Sequence, residues 1–429
     1  MPKIADVLRG ALTGQEVELR GWIYRTRTIG GKAFVVFRDS SGVLQVAIAK
    51  DIVLPEQFEA AEKALIESAV TAKGTVVQDK RAPGGYEVRA KEFHVVSYAE
   101  KFPIQQDLSE EFLLDVRHLW VRSQRMASIF RVRHTVFGAV HEYFRGEGFF
   151  EVHPPMITSV GSEGGSTLFE VEYFGKKAHL TQSWQLYAEA LALSMEKVYY
   201  VGPSFRAEKS RTSRHLTEFW HCEMEEAWAG MDDVLKRAEG AVAHASHRAA
   251  EDNADDLTFL GRDPEVLKHV HTPFERITYD EAVRRVHAKG MAFTWGDDLR
   301  TLEERALTEG MAQPLVVSHY PRVSQAFYKR RDPANPNVVL AFDVIAPDDV
   351  GELVGGSERE TDLEYLKQAI VEFGEDPKNY EWYLDTRRFG NVQHAGFGMG
   401  MERLIQWICK LEHIRDAVPF PRTPARFYP

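Results

Sequence analysis

Cysteine is nearly missing from this chain: Cys222 and Cys409 are the only two in 429 residues, with no CxxC pair and no His/Cys cluster. That excludes a disulfide framework and a Cys-rich zinc site, and it fits a reducing compartment. Long apolar runs are also missing, so no segment reads as a membrane span. The start, Met1-Pro2-Lys3-Ile4-Ala5-Asp6, lacks the apolar core of a secretion signal, and a cytoplasmic location is expected. A surplus of positive charge is absent too. The net charge of −11 argues against nucleic-acid binding through bulk charge and leaves that role to local basic patches. Internal repeats and low-complexity stretches do not occur. At this length two or three domains are expected, each able to bury a core.

Short alternating strands fill the first hundred residues. They are Val17–Ile23, Phe34–Arg38, Val43–Ile48, Ala72–Gln78 and Tyr86–Ser97, with a helical piece near 56–68. The turns Asp39-Ser40-Ser41-Gly42 and Ala82-Pro83-Gly84-Gly85 separate them. Five strands and one inserted helix in this length predict a small closed β-barrel of the OB-fold kind over residues 1–100. Residues 101–122 read as a linker, since 107–120 is charged and has no clear period. From Ser123 to Glu147, Ile129, Val132, Val136, Phe137, Val140, Tyr143 and Phe144 recur at helical spacing, and a strand at 149–152 runs into Pro154-Pro155. Strands then follow with few βαβ units, at 198–208, 218–227, 315–317, 338–344 and 352–354. Helices are expected at 232–251, 278–288, 299–308, 358–373 and 399–409. This pattern predicts an α+β domain over 123–429, a mostly antiparallel sheet flanked by helices.

Two segments far apart in the chain carry the chemistry. One is Phe205-Arg206-Ala207-Glu208, followed by a cationic loop (Lys209, Arg211, Arg214, His215) and Glu218-Phe219. The other is Gly396-Phe397-Gly398-Met399-Gly400-Met401-Glu402-Arg403-Leu404. Each places an arginine beside a carboxylate, which suits a polyphosphate held with a metal, because the planar guanidinium can bind two oxygens and stays charged. No phosphate loop of the Rossmann or Walker type occurs. These segments resemble motifs 2 and 3 of the class II aminoacyl-tRNA synthetases, and the helix, strand and prolines of 123–155 resemble motif 1, a dimer-forming element. The resemblance covers nearly the whole chain and is closest to the asparagine branch of the aspartate/asparagine/lysine subgroup.

The resemblance implies an ATP-dependent ligase that attaches asparagine to its tRNA, acts as a homodimer and uses Mg²⁺. In such an enzyme Arg206 would meet the α-phosphate and the amino-acid carboxylate. Arg214 and His215 would reach the outer phosphates, and Arg403 would clamp the γ-phosphate. Phe219 would stack on the adenine and Glu208 would contact its amino group. Glu352 matches the metal carboxylate, while Gly355 replaces a serine that assists in related enzymes. Glu163, in the small-residue loop 161–166, would bind the α-ammonium group as part of a lid. Gln185 would help hold the amino acid, and Arg359 would donate to the side-chain oxygen. Ala188 stands where aspartyl enzymes carry a lysine, and Glu223 stands where they carry an aspartate. A pocket that loses one cation and keeps an acceptor favours a carboxamide over a carboxylate.

In the barrel, Phe34 would stack on the central uridine of an anticodon, Gln45 would bond it, and Glu87 would contact a neighbouring base. Arg25, Arg27 and Lys32 flank them and could meet phosphates. The competing readings are an aspartyl-tRNA synthetase, a synthetase-derived asparagine synthetase and a tRNA-binding paralogue. They conflict respectively with Ala188 and Glu223, with the barrel itself, and with the presence of Arg206, Arg403 and Glu352.

Overall fold

Alternation of buried and exposed side chains decides the first unit. The computed structural model describes the chain except residues 106–107, 163–166 and 210–211. It divides into two compact units, Met1–Ala127 and Ser128–Pro429. In the first unit β1 (Glu16–Ile29), β2 (Lys32–Arg38), β3 (Val43–Ala49), β4 (Ala69–Gln78) and β5 (Tyr86–Ser97) close a barrel in the order β1-β2-β3-β5-β4. Ala33, Val35 and Phe37 of β2 fill its interior with Leu44, Val46 and Ile48 of β3. The period of two then turns Phe34 and Val36 outward. The helix Pro55–Lys63 covers the barrel with Phe58 and Ala61. The stretch expected to be an irregular linker carries two short helices, Glu110–Asp115 and Arg117–Trp120. They are too brief for helical periodicity to register in the sequence.

The second unit contains β6 (Phe150–Glu151), β7 (Ile157–Thr158), β8 (Glu170–Tyr173), β9 (Lys176–Leu180), β10 (Lys197–Phe205), β11 (Glu218–Ala227), β12 (Glu275–Thr278) and β13 (Leu315–Ser318). It continues through β14 (Arg331–Asp332), β15 (Asn335–Val339), β16 (Ala341–Ala346), β17 (Gly351–Glu358) and β18 (His394–Gly400). Eight of these form one sheet in the order β12-β13-β16-β17-β18-β11-β10-β6, parallel only at its two outer pairs. The expected helix at 358–373 starts only at Leu363, because β17 runs through Glu358 to reach its partner Ala395. The glycine-spaced run before Arg403 is itself a central strand, β18, and the helix begins at Met401.

The register gives the sheet two unlike faces. Cys222 and Met224 align with Met399 and Phe397, and Val354 with Met399, all at most 2% exposed. Against this apolar face lie the helices Gln124–Gly146 and Met231–Asp252; Phe144 stacks on Tyr199 and meets Phe397. The opposite face carries His221, Glu223 and Glu225 on β11, Gly400, Gly398 and Gly396 beside them on β18, and Gly355 beyond on β17. A strand of alternating glycine and large apolar residue thus gives a filled face and an open one.

Candidate active site

The open face forms a cleft. Arg206, Glu208, Arg214, His215, Phe219, Glu352 and Arg403 all line it. Seven side chains from three distant segments therefore meet in one cleft.

Their states differ. The Arg206 guanidinium lies 5.4 Å from the centre of the Phe219 ring, and its buried Nε has no partner among the described residues. Arg403 donates to the carbonyl of Glu352 at 2.6 Å and stands 3.7 Å from its carboxylate. The neighbouring Glu402 is buried and turned to structure: it accepts from Arg133 and from the Trp220 N–H at 2.7 and 2.8 Å. His215 stands 3.9 Å from Glu208. Burial, and then the charge of Arg403, hold the His215 ring below its ordinary pKa, so it is neutral near pH 7. Arg214, expected to reach the outer phosphates, is tied into the protein. It is 7% exposed and bonded to Glu304 at 2.7 Å, to the Val350 carbonyl and to Thr301.

Two residues on the open face of the sheet escaped the sequence reading. His221 is buried on the cleft floor 3.3 Å from Ser204, and burial followed by Arg206 pushes its pKa well down. Asp343 lies on β16 directly opposite Gly355. A methyl group at Gly355 would stand 2.8 Å from a Glu352 oxygen and 3.4 Å from an Asp343 oxygen, so the two carboxylates converge there. Burial and then the Glu352 charge raise the Asp343 pKa well above the usual carboxylate range. A charged residue inside the apolar run Ala341-Phe342-Asp343-Val344-Ile345-Ala346 was the available signal. Among the described residues, no group of three or more His, Cys, Asp or Glu forms a metal cage. Two carboxylates suffice for a hard cation that keeps water and takes phosphate oxygens.

At the other end of the face, Glu223 is 5% exposed and accepts from the Ser183 hydroxyl and, at 2.9 Å, from the Trp184 N–H. Arg359 is 3% exposed and grips Glu225 through Nε and Nη2, at 3.0 and 2.9 Å, while Nη1 donates to Ser357 at 2.7 Å. Gln185 donates to Glu189 at 3.1 Å. Glu189, wholly buried, also binds Tyr383, Arg387 and His394, and this network had no sequence signal. Ala188 packs among Trp184, Ala192, Val198 and Tyr200, so no cation arises from that position. The expected lid residue Glu163 lies outside the described residues.

In the first unit a second, open groove runs over the outer face of β2 and β3. Phe34 lines it with Gln45, Glu87, Arg27 and Lys32. Gln45 Nε2 donates to Glu87 at 2.9 Å, and the Arg27 guanidinium lies 5.1 Å from the Phe34 ring centre. Arg25 is not part of this groove; it is exposed beside Tyr24, whereas Arg81, Arg89 and Lys91 join the lining.

Comparison with known proteins agrees with this division of labour. The family "tRNA synthetases class II (D, K and N)" matches residues 109–424, and "OB-fold nucleic acid binding domain" matches 17–96. The asparagine–tRNA ligase of Thermococcus gammatolerans is 48% identical over 425 residues, covering 99% of this chain and 98% of that protein. The structure of asparaginyl-tRNA synthetase from Pyrococcus horikoshii complexed with asparaginyl-adenylate aligns with a TM-score of 0.95 at 47% identity, covering 97% of each chain. The Entamoeba histolytica asparaginyl-tRNA synthetase in complex with asparaginyl-adenylate aligns at 0.90 with 30% identity, covering 98% of each.

Proposed function

Because the chain belongs to the class II aminoacyl-tRNA synthetases of the D, K and N group, we propose that it is an asparagine–tRNA ligase. Asparagine and ATP give asparaginyl-adenylate and pyrophosphate, and the asparaginyl group then passes to the 3′ end of asparagine tRNA with release of AMP. The observation that carries the specificity is a buried carboxylate, Glu223, opposite Gly398 on the open face of the sheet, with an apolar Ala188 where a competing cation would stand.

In the first step an asparagine carboxylate oxygen forms a bond to the α-phosphorus and the bond to pyrophosphate breaks. Negative charge grows on the α-phosphoryl oxygens, and fixed cations that meet it there lower the barrier. Arg206 has an unpartnered N–H for that role and Arg403 takes the far phosphates. Phe219 offers a ring face to the adenine and Glu208 an acceptor to its amino group. Arg359 is fixed by Glu225 and donates to the side-chain oxygen of asparagine, while Glu223 accepts from the carboxamide NH₂. Glu163 and Gln185 hold the ammonium end. Glu352 and Asp343 would hold Mg²⁺, since their carboxylate oxygens converge beside Gly355. Bound there, Mg²⁺ neutralises phosphate charge. In the second step the terminal ribose hydroxyl attacks the acyl carbonyl and the bond to AMP breaks.

Residues 1–100 read the anticodon through Phe34, Gln45 and Glu87, with phosphate contacts from Arg27 and Lys32; residues 123–429 carry the chemistry, joined by 101–122. The protein works in the cytoplasm as a homodimer assembled through the 123–155 segment. ATP–pyrophosphate exchange without tRNA tests the core of this reading. Exchange with asparagine and not aspartate is expected. Exchange with aspartate would transfer the protein to the aspartyl or amidating readings, and exchange with neither would leave a paralogue.

A further inference from the structure

Behind the cleft, a glutamate outside all three sequence motifs ties two of the lining residues together. Glu304 sits on the helix Thr301–Thr308 and is 7% exposed. One of its carboxylate oxygens accepts from Arg214 Nη1 at 2.7 Å; the other accepts from the backbone N–H of Glu352 at 3.3 Å. Thr301 on the same helix accepts from Arg214 Nη2, and the Val350 carbonyl accepts from Nη1 at 3.1 Å. Both outer nitrogens of Arg214 thereby donate to fixed acceptors. Its Nε is buried and has no partner among the described residues. The backbone of Glu352 is held from both sides, its N–H by Glu304 and its carbonyl by Arg403.

The chain makes room for this arrangement with a glycine. Gly351 has φ +78°, and a methyl group there would fall 1.9 Å from Arg214 Nη1 and 2.5 Å from Glu304 Oε2. Only glycine meets both demands, a left-handed backbone and a close approach. Glu304 bears an energetic cost for its place. Burial raises its pKa, with Arg214 opposing the shift and the charge of Glu352 adding to it. A carboxylate kept in such surroundings is expected to act through its partners.

We propose that Glu304 is a positioning residue for ATP: it fixes the Arg214 guanidinium so that the Nε–H edge is left for the polyphosphate, and it sets the backbone from which the Glu352 carboxylate projects. This rests on the ATP-binding reading of the cleft. Arg214 then meets nucleotide by one edge, from a site already assembled before binding, which reduces the ordering cost of association.

The test is equilibrium binding of ATP with Mg²⁺, without amino acid or tRNA, to the full-length protein and to Glu304→Gln, followed by steady-state exchange. Glu304→Gln keeps the size of the side chain and removes the charge that holds Arg214. About tenfold weaker ATP binding and a matching rise in KM for ATP are expected, with KM for asparagine within twofold of the parent. Unchanged ATP affinity, or equal rises in both KM values, would overturn the proposal. If Glu304→Gln does not fold, Thr301→Val removes one Arg214 contact alone, and a smaller loss confined to ATP is expected; no loss there would overturn it equally. Arg403→Lys serves as the control. If it leaves ATP binding intact, the reading of the cleft fails; if only it weakens binding, the role of Glu304 fails.

Discussion

At Gly396 one added methyl group would stand 2.1 Å from a Glu225 oxygen, 2.2 Å from the Met224 carbonyl and 2.8 Å from Arg359 Nη2. The first glycine of the β18 run therefore exists to admit the Arg359–Glu225 pair, which is 3% and 0% exposed. The other two, Gly398 and Gly400, meet nothing closer than 3.4 Å and leave the cleft floor open. Gly396→Ala must displace backbone or part the buried ions, and an uncompensated buried charge costs ~3–5 kcal/mol. A marked drop in the urea unfolding midpoint is expected, with loss of asparagine-dependent exchange; a midpoint within error of the parent would refute this account. Of that pair, Arg359 was legible from the family resemblance. Their pairing was not: Arg359 and Glu225 are 134 positions apart, and nothing local in either segment selects the other. Asp343 was the reverse case, with its signal present in an apolar strand but read only as strand.

Elements were legible wherever periodicity was long enough. The 124–146 helix buries Ile129, Val132, Val136, Val140 and Phe144, the stripe its spacing predicts. β18 was not recognised because alternating glycine lowers strand propensity and imitates a loop. The barrel strands show how an element assigns function. On β2 the inward residues are Ala33, Val35 and Phe37, so the half-buried Phe34 contributes little to the core. Phe34→Ala should change stability by less than ~1 kcal/mol. Loss of one stacked base is worth ~1–3 kcal/mol, so the KM for tRNA in charging should rise about 5- to 150-fold. Exchange without tRNA should be unaltered. An unchanged tRNA KM would remove Phe34 from the proposed anticodon groove.

For the whole molecule, net charge misleads. A chain at −11 still sets five cations, Arg27, Lys32, Arg81, Arg89 and Lys91, against three carboxylates, Asp51, Asp79 and Glu87, around one groove of the barrel, and local field, not the total, governs nucleic-acid contact. The proposed homodimer belongs to this scale. Light scattering on the full-length protein should give about twice the chain mass of 48.8 kDa. A mass equal to that of one chain at micromolar concentration would contradict it. Among the described residues, no helix is long and apolar enough to cross a membrane.

The amino-acid sequence by itself determined the barrel, the α+β class of the second unit and seven of the side chains that line the cleft. The first two rest on local periodicity, and the cleft residues on the resemblance of short motifs to those of a known family. Tertiary structure alone decided that Arg214 is tethered to Glu304, that Asp343 converges with Glu352, and that Glu189 gathers Gln185, Tyr383, Arg387 and His394 into one buried network. The reason is physical: a buried charge needs partners, and sheet register and helix packing choose those partners from any distance along the chain.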